Sequence, residues 1–76
     1  MQAFLSYTLC ELPALDALEL GEVNAVPRNG EGVFISNAKE PRWNGVFEVK
    51  EVFWDLDLGH PDGPRHWVTA ELERVE

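Results

Sequence analysis

Apolar and polar residues alternate over the first ten positions. Met1, Ala3, Leu5, Tyr7 and Leu9 share one side, and Gln2, Phe4, Ser6, Thr8 and Cys10 the other. A period of two held for ten residues predicts a strand, which Pro13 ends or deflects. Residues 14–24, ALDALELGEVN, fit two patterns. Leu15, Leu18 and Val23 would line a short helical turn stopped by Gly21, and Leu18 with Leu20 would equally suit a short strand. The helical turn is the expectation.

Residues 26–35 read VPRNGEGVFI. Pro27 fixes its own φ, Asn29-Gly30 tolerates positive φ, and a turn there would feed a short strand at Val33–Ile35. Residues 36–45 form a polar loop closing on a second Asn-Gly. The longest strand follows in GVFEVKEVFWDL, residues 45–56. Its alternation breaks once. Phe47 and Val49 share a phase, while Val52, Trp54 and Leu56 share the opposite one. A β-bulge at Lys50-Glu51 would return both sets to one face and bend the strand, with Trp54 then anchoring the core. Residues 59–65, GHPDGPR, are turn chemistry by composition. The final strand spans 66–75, where Val68, Ala70 and Leu72 alternate with Trp67, Thr69, Glu71 and Glu73. Together these elements predict one all-β domain over residues 1–76: four or five mostly antiparallel strands in a strongly bent sheet or partly open SH3-like barrel, with at most one short helical turn.

The runs VPRNGEGVFI, GVFEVKEVFWDL and HWVTAELERV, carried by Pro27, Gly30, Glu31, Val33, Val49, Val52, Trp54, Val68 and Leu72, resemble the layout of small uncharacterised phage and prophage proteins. The resemblance implies an SH3-like or related small β fold and brings no catalytic residues.

Size and charge narrow the function. A chain of 76 residues buries only about 60% of its unfolded surface, which leaves little room for both a core and an enclosed site of about 300 Å³ or more. A net charge of −8, from fourteen acids against six bases, argues against direct nucleic-acid binding and against anionic membranes, and suits a basic or neutral protein partner. The single cysteine, Cys10, points to a reducing compartment. With no signal-peptide pattern and no run approaching a membrane span, the cytoplasm is expected, that of a bacterial host included.

The stretch WDLDLGHPDGPRHW, residues 54–67, gathers three aspartates and two histidines. It fails as a calcium loop: starting at Asp55, positions five, six and twelve are Gly59, His60 and His66. A zinc site from His60, Asp62 and His66 with Asp55 or Asp57 lacks the close spacing of tetrahedral sites. Cys10 with either histidine has no supporting elbow. Asp55 and Asp57 read as a solvated face rather than an acid pair. Gly30-Glu31-Gly32 lacks the Lys-Ser/Thr of a phosphate loop. No catalytic residue, cofactor or metal is therefore expected.

Aromatic placement is the better clue. The alternation turns Trp67, Phe4 and Phe34 outward, and Trp43 falls in a polar loop. Exposed aromatics mark interfaces more often than catalysis. The expected function is that of a non-enzymatic interaction or accessory protein, binding another protein or itself through Phe34, Trp43 and Trp67, with Asp55, Asp57, Glu71 and Glu73 as an acidic rim. Two alternatives stand beside it. One is a small-molecule or metal-binding protein, with its site at a subunit interface or in the 59–66 loop. The other is an acidic mimic of nucleic acid.

Overall fold

The computed structural model describes residues 3–10 and 17–75. These carry strands β1 (Ala3–Leu9), β2 (Leu18–Val23), β3 (Gly32–Ile35), β4 (Gly45–Asp57) and β5 (Arg65–Arg74), with one 3-10 turn at Pro41–Trp43. The strands make a single curled sheet in the order β2-β1-β5-β4-β3. This is an all-β, partly open half-barrel. Its hairpins are antiparallel, but β1 and β5 run parallel, with Leu5 beside Val68 and Leu9 beside Leu72.

The alternation read from the sequence decides the faces. Ala3, Leu5, Tyr7 and Leu9 of β1, Val68, Ala70 and Leu72 of β5, and Phe47 and Val49 of β4 are buried on the inner face. Alternate residues turn to the outer face, as pleating requires. The bulge falls where the broken alternation predicts it. Val49 opposes Leu72, Glu51 opposes Glu71 and Val52 opposes Ala70, with Lys50 as the extra residue. Val52 and Trp54 thereby rejoin the phase of Val49, and the added twist helps the sheet curl.

A second device sits at residues 28–31. Glu31 N–H donates to the Arg28 carbonyl, while Gly30 N–H donates to Val49, whose own N–H donates to Glu31. Gly30 has φ +87°, a conformation costly to any side chain. Turn and bulge together bring the chain onto β4 just ahead of β3.

Three expectations need correction. The helical turn over residues 14–24 is not what forms at 18–23: those residues are β2, and 14–16 lie outside the described residues. Gly21, at φ +75°, serves as part of a bulge against β1 at Leu5/Ser6 rather than as a helix stop. Only Leu18 and Val23 pack toward the core, so the sheet edge satisfies the backbone where an isolated turn would not. Trp43 is not an exposed anchor. Pro41 starts the 3-10 turn that directs its indole inward, and it is 3% exposed. Arg74 fixes this closure from β5: its guanidinium donates to the carbonyls of Asn44 and Arg42 and lies over the Phe47 ring at 4.8 Å. Trp54 does face inward after the bulge, yet it is 58% exposed, because β4 runs past the elements that cover the rest of the inner face.

Burial raises the Tyr7 phenol above its ordinary value of 10.0. The folded state therefore favours the protonated ring. Its contribution is complete below the unfolded value, about 10, and is lost as pH rises through the folded one. Stability measured by urea titration should fall above pH about 10, and Tyr7→Phe should flatten that alkaline limb.

Candidate interaction face

The outer face of β1, β5 and β4 gathers aromatics and acids by register alone. Phe4 lies beside Trp67 across the parallel pair, with ring centroids 5.1 Å apart. Phe53 opposes Thr69, and Trp67 opposes Asp55, so Phe53 and Trp67 are diagonal neighbours. Trp67 is 38% and Phe53 53% exposed. Arg65 lies over both rings of the pair, 4.3 Å from the Phe4 centroid and 5.6 Å from that of Trp67, a cation–π contact that holds the rings in place. His60 approaches Trp67 from the turn, at 6.3 Å. Beside the pair a hollow of about 200 Å³ opens where Gly21 carries no side chain, bordered by Ser6 and Glu19.

Acids surround this cluster. Glu22 is the cross-strand neighbour of Phe4, and Glu19 that of Ser6. Asp55 and Asp57 follow Phe53 along β4. Farther along the face, Glu51 directly opposes Glu71 and Glu48 opposes Glu73. Like charges placed directly opposite destabilise a sheet. Lys50 relieves part of this, 3.2 Å from Glu48 and 3.9 Å from Glu73. Its ammonium is held above the usual lysine range, first by the hydrogen bond to Glu48 and then by the charges of Glu73 and Glu48.

The residues singled out from the sequence therefore separate. Trp67, Asp55, Asp57, Glu71 and Glu73 share the outer face. Phe34 is 74% exposed on that face too, but it pairs with Val46, at the opposite end of β4 from Asp55. Trp43 is in the core. Sequence reading turned Phe4 outward without joining it to Trp67, and it missed Phe53, although the bulge fixes the phase of Phe53. What joins Phe4 to Trp67 is the parallel pairing of β1 with β5, for which no local signal exists.

The stretch from Trp54 to Trp67 resolves into a hairpin turn. Gly63 N–H donates to the His60 carbonyl, Asp62 N–H to His60 Nδ1, and Gly59 N–H to Asp57 Oδ1. Arg65 and Asp62 pair at 3.6 Å. His66 turns to the inner face, edge-on to Trp54 at 5.6 Å, while His60 meets Trp67 on the outer side. The two histidines thus diverge, and no three of His, Cys, Asp and Glu gather as metal ligands among the described residues. Among the same residues no helix is long and apolar enough to cross a membrane. Comparison with protein-family models, curated proteins and solved structures found no match to the chain.

Proposed function

We propose that this chain is a non-enzymatic interaction protein whose outer sheet face binds a basic region of another protein. The observation that carries this reading is the Phe4–Trp67–Phe53 cluster, left partly exposed and set among acids. Exposed aromatics of this kind supply the anchors of an interface, and a charged rim speeds encounter with a partner of opposite sign. The hollow beside Gly21, with Glu19 at its edge, suits the apolar stem and charged head of a lysine or arginine. The opposed Glu51–Glu71 and Glu48–Glu73 pairs support the same reading. They lower stability, and a basic partner is the natural recipient of such a field. The sequence resemblance suggests a phage-encoded accessory or inhibitor as the setting.

The test combines binding with stability. The immobilised chain should capture a basic protein from a bacterial extract, with affinity that falls as salt rises. Phe53→Ser/Trp67→Ser should abolish that capture, whereas Phe34→Ser should leave it intact. Glu71→Lys should weaken capture while stabilising the fold by roughly 0.5–1 kcal/mol, a Tm gain of several degrees. Capture retained by the double variant would overturn the proposal.

A further inference from the structure

β4 is longer than the strand that flanks it. β3 covers Gly45–Glu48, and the bonds between Val49 and residues 30–31 extend that cover by one position. From Lys50 to Asp57, no backbone hydrogen bond joins β4 to any described residue on the side away from β5. The direction of the free groups follows from the ladder. Val46 accepts from Val75 on the β5 side, and Val49 bonds on the β3 side. The bulge at Lys50 then reverses the alternation. The N–H and C=O groups of Val52, Trp54 and Leu56 therefore point outward. Three consecutive rungs of an edge are open.

Two further features border this edge. On the inner side lies a hollow of about 300 Å³ lined by Val26, Pro27, Arg28, Asn29, Val52 and Trp54. On the outer side, the side chains of Asp55 and Asp57 alternate with the inward ones. An open edge of this length is ordinarily a hazard. Here its two sides carry different chemistry: inside, the apolar groups of Val26, Pro27, Val52 and Trp54 with Arg28 and Asn29 beside them; outside, the carboxylates of Asp55 and Asp57.

We infer that this edge takes an extended segment of a partner as an added sixth strand, one alternating Lys or Arg with apolar residues. Its backbone pairs with Val52, Trp54 and Leu56. Its apolar side chains enter the hollow beside Trp54, and its cationic ones stand next to Asp55 and Asp57. Strand addition draws affinity from the main chain and specificity from alternate side chains. A second copy of β4 is a poor occupant, since it would set Asp55 and Asp57 against acids of its own kind in a pairing of two −8 chains. The inference rests on the reading of a basic partner and names the form that partner takes.

The experiment uses a capped seven-residue peptide alternating Lys and Val, titrated into the nitrogen-15-labelled chain, with amide shifts and hydrogen exchange as the readout. Protection should appear at Val52, Trp54 and Leu56. A peptide with alternate amides N-methylated along its pairing edge should bind at least tenfold more weakly. A Glu-Val peptide should not bind. Asp55→Asn/Asp57→Asn, both at exposed positions, should weaken binding about fivefold at low salt, the scale of two surface charge pairs. Equal binding of the N-methylated peptide, or no change at these amides, overturns the inference. So does a peptide-free chain found at twice its 8.6 kDa mass with the three amides already protected. If Phe53→Ser/Trp67→Ser abolishes protein capture while the peptide leaves the edge untouched, the outer-face reading stands and the added strand falls.

Discussion

Trp43→Ala is expected to destabilise the fold by about 3–5 kcal/mol, the usual cost of removing a large buried aromatic. A domain of this size holds only about 4–11 kcal/mol in all, so the variant should be largely unfolded in moderate urea and lose its near-ultraviolet signal. The reason is position. Trp43 plugs one end of the half-barrel, where the 3-10 turn at Pro41–Trp43 closes over the core. No other described aromatic does this. Phe34→Ala makes the contrast: with 74% exposure it should change stability by no more than about 0.5 kcal/mol. Equal urea midpoints for the two variants would show that the closure contributes little.

Phe47→Ala should cost a similar amount, about 3–5 kcal/mol. Phe47 has no exposed surface and sits between Val33 on β3 and Arg74 on β5. Its loss leaves a void and takes the ring from beneath the Arg74 guanidinium. A conservative swap to Leu should cost less than about 1.5 kcal/mol in packing. A double-mutant cycle with Arg74→Ala isolates the ring–guanidinium coupling, expected at roughly 0.5–1 kcal/mol. Arg74→Lys should not restore full stability, because one ammonium does not reproduce a planar fork that donates to two carbonyls, those of Asn44 and Arg42. An additive cycle would remove the ring contact from the account.

What the sequence made legible was what local chemistry determines. The alternation of β1 and β5 fixed their faces. The broken phase at Lys50-Glu51 located the bulge, and Asn29-Gly30 located a turn. What it hid was set by distant contacts. Trp43 looked exposed because its neighbours are polar, yet burial there depends on a turn tied down by a residue thirty positions away, Asn44 to Arg74. Trp54 looked buried because its phase is right, but phase gives a face and not a covering element. β2 was obscured because a bulged edge strand with Gly21 inside it shows neither clean period. The candidate face was half legible for the same reason. Trp67, Asp55, Asp57, Glu71 and Glu73 followed from single strands, whereas Phe4 joined them only through a strand pairing that alternation does not announce.

That pairing also orders events in time. β1 and β5 are neighbours in the sheet but lie about sixty residues apart along the chain, as Leu5 and Val68 illustrate. The hairpins β1–β2 and β4–β5 need only short loops to close, while the seam between them must await the arrival of β5 and a much larger loss of chain entropy. Until the seam zips, each hairpin carries half of the apolar face uncovered. On a ribosome, the first hairpin waits in that state for most of the chain's synthesis. The molecule's vulnerability to misfolding is therefore concentrated in the interval before its central strand is made.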